Sequence, residues 1–196
     1  EIGRAAGAGQ AAFESGWRDM PPGERTRLLR NLAKRIHENV ETLAQLETRN
    51  VGKPIGDARW EADAGAKVFD YYAGAIGHLC GQTIPVARGG FDFTLRQPMG
   101  VIAAITPWNF PFLIACWKVA PALAAGNSVV LKPASLTPLT TLMLGQLAQE
   151  AGLPDGVLQV VPGSGSEAGN ALATHPLVRK IGFTGSTEVG ATIMKL

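Results

Sequence analysis

From residue 100 onward, short apolar runs alternate with longer segments of helical period. Val101 to Ile105, Val129 to Lys132, Val157 to Val161 and Lys180 to Phe183 are runs of four or five residues. Each leads into a helical pattern, at Phe112 to Ala125, Pro138 to Ala151, Ser166 to Ala173 and Ser186 onward. Short continuous apolar runs bounded by turn residues fit strands buried on both faces, and strand followed by helix, repeated, builds parallel βαβ units. Right-handed crossovers then predict an α/β fold, a Rossmann-like doubly wound parallel sheet with helices on both faces.

Ahead of this region the period is that of helices. Leu29, Leu32, Ala33, Ile36, Val40 and Leu43 recur at helical spacing and predict a helix over 24–50, after Pro21-Pro22-Gly23 and before Gly52. Trp60, Ala64, Val68 and Tyr72 carry a second helix to about Gly77. The period then changes to two. Phe91, Phe93 and Leu95 alternate with Asp92, Thr94 and Arg96, as in a strand with one wet face, and Ile84-Pro85-Val86 supplies its hairpin partner. An edge so rich in aromatics wants cover, from another subunit or from its own chain. The chain therefore divides into a helical part over 1–80, a β-hairpin arm over 81–99, and the Rossmann-like part over 100–196.

Composition removes several classes of function. With 46% hydrophobic and 17% charged residues among 196, the chain can bury a sizeable core, and a net charge of +2 without any basic block points to neither nucleic acid nor membrane as partner. The most apolar stretch, from Phe110 to Ala125, is broken by Lys118 and Pro121 and reads as a buried helix. Cys80 and Cys116 are too few for a disulfide scaffold, and no His and Cys share the spacing of a zinc site, so no metal is expected and a reducing cytoplasm is the expected setting. Both cysteines read as buried and inert.

In a doubly wound sheet, ligands bind beyond the carboxyl ends of the strands. The loops there read Thr106-Pro-Trp-Asn109, Lys132-Pro-Ala-Ser135, Pro162-Gly-Ser-Gly-Ser166 and Thr184-Gly-Ser-Thr-Glu188. Glycines, hydroxyls and one lysine suit a phosphate-bearing ligand held by backbone N–H groups, although any one such loop is also an ordinary helix cap. Gly163-Ser-Gly165-Ser-Glu-Ala168 has the G-x-G-x-x-A spacing of a dinucleotide loop but lacks the acid expected about twenty residues later. Gly185-Ser186-Thr187 is an equal contender, with Glu188 closing a capping box. Asn109, framed by Pro107 and Pro111, is either a turn residue or a pre-aimed amide.

Four blocks together resemble the aldehyde dehydrogenase superfamily: Pro-Trp-Asn-Phe-Pro at 107–111, Trp-Lys-Val-Ala-Pro-Ala-Leu-Ala-Ala-Gly-Asn at 117–127, Leu-Lys-Pro-Ala at 131–134 and Phe-Thr-Gly-Ser-Thr-Glu-Val-Gly at 183–190. Their order and spacing match across the whole chain, as in the N-terminal part of a bacterial betaine-aldehyde or semialdehyde dehydrogenase. The resemblance implies that Asn109 donates its amide to the oxyanion formed when a cysteine thiolate adds to an aldehyde. It implies that Lys132 binds the adenosine ribose, and that Ser135 stands where NAD-preferring members carry Glu, so that NADP is tolerated or preferred to NAD. Gly185 and Ser186 become pyrophosphate contacts, and the segment with Gly165 and Gly169 borders the adenine. Thr106, Pro107, Trp108, Phe183 and Thr184 complete the cofactor-facing set. Lys118 matches a charge-relay lysine, whereas its own position reads as a solvated or salt-bridged helix lysine. Asp63 matches a monovalent-cation position but reads as a surface carboxylate.

The family's nucleophilic cysteine and general-base glutamate belong downstream of Leu196. The resemblance therefore implies an NAD(P)-dependent aldehyde dehydrogenase, homodimeric or homotetrameric at full length, of which this chain is the cofactor-binding portion without the catalytic domain. The other reading is a non-catalytic nucleotide-binding or scaffold protein on a truncated form of the same fold.

Overall fold

The computed structural model describes residues 1–196. Four parallel strands form the central sheet: β3 (Val101–Ile105), β4 (Ser128–Lys132), β5 (Leu158–Val160) and β6 (Val178–Phe183), in the order β5-β4-β3-β6. Every residue of β3 and β4 is buried, which accounts for their unbroken apolar runs. Side chains alternate between two cores. Ile102, Ala104, Val129 and Leu131 face a large core shared with helices α5 (Pro111–Ala124) and α6 (Leu139–Glu150), while Val101, Ala103 and Val130 face a smaller one with Ile2 and Ala5 of α1 (Ile2–Ala12). The chain leaves β3 toward β4 on one side and reaches β6 on the other, so the topological switch lies between the ends of β3 and β6.

Outside α5 and α6 lies a second helical layer, α2 (Pro22–Glu38), α3 (Val40–Val51) and α4 (Ile55–Ala75). The single helix expected over 24–50 is broken at Asn39, whose φ and ψ of −108° and 13° leave the helical region. Its side chain donates to the carbonyl of Arg35 at 2.8 Å, offering α2 an end that pattern alone does not show. Helix α4 also presents a different face from the one expected. Trp60 is 61% exposed, and the buried stripe is Ala58, Glu61, Ala62, Gly65, Ala66, Phe69 and Ala73. Small residues bring α4 close to α5, so bulk sits on the outer side. Two short helices, α7 (Asn170–Ala173) and α8 (Thr187–Ile193), flank β6.

The arm is a hairpin of two-residue strands, β1 (Thr83–Ile84) and β2 (Asp92–Phe93). Phe91 and Phe93 lie against each other at a 45° tilt with centroids 5.3 Å apart, yet they are 76% and 51% exposed, and Leu95 is 70% exposed. Residues 1–196 thus leave the hairpin's aromatic face uncovered. No helix is long and apolar enough to cross a membrane.

Between α3, α4 and α5 lies a buried charged group that the sequence pattern does not reveal. Glu47 and Glu61 are 2% and 0% exposed, and Lys53 from the α3–α4 connection binds both, reaching Glu47 Oε1 at 3.3 Å and contacting Glu61 Oε2. Glu47 Oε2 has no partner. Burial, and then the charge of Glu61, push the Glu47 carboxyl up to about 7, against the opposing pull of Lys53 and of the nearby Thr140 hydroxyl, which lies outside formal hydrogen-bond geometry.

Two outcomes test this packing. A Cβ on Gly65 would lie 2.5 Å from Cε1 of Phe112 and 3.0 Å from Sγ of Cys116. Alanine gains about 1 kcal/mol of helix propensity, but overpacking costs about 1–3 kcal/mol, so Gly65→Ala is expected to lower stability and the urea midpoint. An unchanged or higher midpoint would show that α4 and α5 separate freely. For Glu47, a folded-state pKa raised to about 7 from 4.5 means that the fold binds a proton the unfolded chain releases. Its contribution is full below pH 4.5 and is lost as pH rises through 7. Glu47→Gln should flatten the fall of unfolding free energy over that window; an unaltered slope refutes the shift.

Candidate functional site

The site loops begin where the ladder of β3 runs out. Thr106 N–H still donates to the Lys132 carbonyl at 3.2 Å, and Thr184 N–H to the Ile105 carbonyl at 3.1 Å, after which the three chains diverge. At this switch point opens a cavity of about 530 Å³. It brings together Thr106, Pro107, Trp108 and Asn109 from the end of β3 with Phe183, Thr184, Gly185 and Ser186 from the end of β6. Thr106 is 3% exposed and its Oγ1 has no partner. An orphaned buried hydroxyl beside a cavity asks for a polar ligand group, so these residues fit a nucleotide cofactor.

Asn109 is exposed, and its side chain makes no hydrogen bond within the chain. It also lines a second cavity of about 420 Å³, walled by Trp60, Trp108 and Phe110 with Lys53 and Asp57. Asn109 thus stands where the strand-end cavity meets an aromatic one, and its side-chain donors are free.

The loops after β4 and β5 lock onto each other. Lys132 Nζ donates to the carbonyls of Pro133 at 2.7 Å and Gly163 at 3.0 Å, and Ser135 Oγ donates to the same Gly163 carbonyl at 2.9 Å. Desolvation holds the Lys132 ammonium below its ordinary pKa. With three donors and two carbonyls taken, Lys132 keeps one N–H for a ligand. A Cβ on Gly169 would meet the Lys132 stem at 3.9 Å, and Gly165 opens the turn beneath it. A Cβ on Gly163 would lie 2.7 Å from that of Ala168, so this glycine serves the tight turn.

The two contending loops differ in their caps. Ser164 accepts the Glu167 N–H at 3.1 Å and its hydroxyl reaches that carboxylate at 3.3 Å. In the other loop Ser186 is the N-cap, accepting from Val189 N–H at 3.3 Å, so the residue at the box position is Val189 and Glu188 closes no capping box. A Cβ on Gly185 would lie 2.5 Å from the Phe183 ring, which explains the glycine there by packing.

Lys118 lies apart from Asn109. It lines a different cavity, of about 390 Å³, with Asn127, Lys180 and Gly182, and no carboxylate stands within ion-pair distance. The salt-bridged alternative is therefore not realised; desolvation lowers the Lys118 pKa. Asp63 is taken by Lys67 at 2.7 Å and His37 at 3.2 Å. Cys116 is fully buried, and burial, reinforced by the Glu61 charge, raises its thiol pKa. Cys80 is exposed, not buried as expected, because the arm leaves it outside the core.

Two anchors escaped sequence reasoning. Thr137 Oγ1 donates to the Trp108 carbonyl at 3.0 Å, and Glu61 Oε1 accepts the Leu113 N–H at 3.1 Å. No pattern in the sequence marks either one: the stripe read for α4 runs through Trp60, Ala64, Val68 and Tyr72, whereas the buried one holds Glu61.

Comparison with known proteins agrees with this geometry. The chain is 46% identical over 197 residues to the NADP/NAD-dependent aldehyde dehydrogenase PuuC of Escherichia coli, covering 100% of this chain and 40% of that protein. It is 47% identical over 198 residues to human retinal dehydrogenase 2, covering 100% of this chain and 38% of that one. Among solved structures, the NAD+ complex of an aldehyde dehydrogenase from Bacillus cereus superposes with a TM-score of 0.96 at 44% identity, over 99% of this chain and 40% of that chain. The chain thus spans about two fifths of the length of the relatives it matches. The profile of the aldehyde dehydrogenase family matches residues 1–196, from end to end, and the chain belongs to that family.

Proposed function

We propose that the protein carrying this chain oxidises an aldehyde to a carboxylic acid with NAD or NADP, and that this segment supplies the cofactor seat and half of the oxyanion hole. One observation carries the reading: the Asn109 amide, unengaged within the chain, stands at the junction of the strand-end cavity and the aromatic cavity. A cysteine thiolate from the rest of the family's length adds to the carbonyl carbon, and the carbonyl oxygen takes up the electron pair. The Asn109 side-chain N–H donates to that oxyanion; a donor fixed in advance stabilises it without reorganising. A nicotinamide bound in the strand-end cavity would supply the two-electron oxidation by taking hydride from that carbon, and water would then release the acid with the thiolate as leaving group. Neither cysteine here serves as nucleophile, since Cys116 is sealed in the core and Cys80 sits at the root of the arm.

For the cofactor, Lys132, Ser135, Gly165 and Gly169 face the adenosine half, and Thr106, Pro107, Trp108, Phe183, Thr184, Gly185 and Ser186 the pyrophosphate and nicotinamide half. Ser135 leaves room and no negative charge for a 2′-phosphate, which Lys132 attracts, so NADP is accepted alongside or ahead of NAD. Lys118, unpaired and half-desolvated, is the candidate for a proton relay. The partition into a helical part over 1–80, an arm over 81–99 and a Rossmann-like part over 100–196 follows these roles. The exposed Phe91, Phe93 and Leu95 of the arm are assigned to a contact between subunits of a cytoplasmic homodimer or homotetramer.

Asn109→Ala in the enzyme of full family length is expected to lower kcat by about a hundredfold with little change in cofactor Kd. Unchanged turnover, with chemistry limiting, defeats the assignment. Ser135→Glu should lower the ratio of kcat/KM for NADP to that for NAD by about tenfold or more, through repulsion of the 2′-phosphate. An unmoved ratio would remove Ser135 from cofactor selection.

A further inference from the structure

The loop carrying Asn109 is fastened on both sides by residues from other elements. Before it, the Thr137 hydroxyl holds the Trp108 carbonyl at 3.0 Å. After it, the Lys53 ammonium stands 4.3 Å from the Phe110 ring centroid, and Glu61 Oε1 accepts the Leu113 N–H at 3.1 Å in the first turn of α5. The last two belong to the buried group in which Lys53 binds both Glu47 and Glu61. Two carboxylates around one ammonium, with Glu47 Oε2 unpartnered, are a poor source of fold stability, because desolvation of the ions opposes their attraction. Outside itself, the group meets hydrogen-bond or cation–π geometry at Phe110 and Leu113, directly following Asn109. Asn109 has no side-chain hydrogen bond of its own, so what these contacts hold is the backbone from which its side chain extends.

We propose that Lys53 and Glu61, seated by Glu47, are positioning residues for the Asn109 amide: Glu61 fixes the start of α5, Lys53 fixes Phe110, and the two together hold the amide toward the junction of its cavities. The proposal rests on the reading of Asn109 as oxyanion donor. A loop released by about 1 Å can lose up to a hundredfold in rate without losing its ligands. The triad therefore acts on kcat and leaves cofactor binding alone.

The test uses the enzyme of full family length, saturated with aldehyde and cofactor. Lys53→Met is expected to lower kcat about tenfold or more, with the Kd for NADH by fluorescence titration within twofold, and Lys53→Arg to recover most of the loss. In the Asn109→Ala background, Lys53→Met should cost less than a further twofold. Because Lys53→Met leaves two buried carboxylates unpaired, a triple variant, Glu47→Leu, Lys53→Met and Glu61→Leu, removes all three charges together. It is expected to retain or raise the unfolding midpoint while kcat falls about tenfold. Retained kcat in the folded triple variant, an equal loss with and without the Asn109 side chain, or failure of the triple variant to fold would each overturn the proposal. Unchanged turnover in Asn109→Ala alone would instead defeat the donor reading, so the two failures are separable.

Discussion

Everything at the candidate site is referenced to β3, a strand with no free edge and no free face. Its five residues are buried, β4 and β6 occupy its two edges, and helices cover both faces. A backbone bonded on both sides cannot shift without breaking the ladders and the packing on both faces together. The ladders continue one residue beyond the strand, through Thr106 to Lys132 and Thr184 to Ile105. The three loops that diverge there inherit a fixed origin. That is why a cavity opens between the ends of β3 and β6, where the topology reverses.

The start of β3 is fixed as firmly. Asn127 Oδ1 accepts the N–H groups of Met99 and Gly100 at 2.7 and 3.2 Å, and the Asn127 carbonyl accepts Trp17 Nε1–H at 2.9 Å. Gly100, at φ 124°, turns the chain from the arm into the sheet, a conformation that a side chain would oppose. Two of the buried polar groups thus serve places where the chain changes direction. Asn127 launches β3, and the Glu61–Lys53 pair manages the entry into α5.

The sheet was legible because β3 and β4 are wholly buried, and because β5 and β6, though only partly buried and carrying Gln159, Arg179 and Lys180, are short and bounded by glycine- and proline-marked turns. The arm was legible in place but not in extent: alternation over Phe91, Phe93 and Leu95 gave a strand, whereas the ladder holds only Asp92 and Phe93. Helix α4 misled because hydrophobic size is not burial. Its inner face is alanine, glycine, Glu61 and a single aromatic, Phe69, and its tryptophan points outward. The break at Asn39 was missed because an Asn inside a periodic segment is neutral until its side chain finds a carbonyl. At the site, motif spacing placed Asn109 and the rim loops together, since strand ends are adjacent by topology. The buried acids and Thr137 depend on side chains reaching another side chain 8 residues away and backbone groups 29 and 52 residues away, which no local pattern encodes.

One short loop carries more than its length implies. Between β4 and α6, Ser135 holds the Gly163 carbonyl in the loop after β5, and Thr137, two residues on, holds the Trp108 carbonyl on the Asn109 side. The residue between them, Leu136, gives its carbonyl to Asn50 Nδ2 at 3.2 Å, while Asn50 Oδ1 accepts the Leu139 N–H at 3.2 Å. The amide of Asn50 thus straps the loop to the end of α3 from both sides. A loop tied to Gly163, to Trp108 and twice to Asn50 resists displacement, so this one short stretch of backbone sets how far the loop after β5 stands from the residue before Asn109.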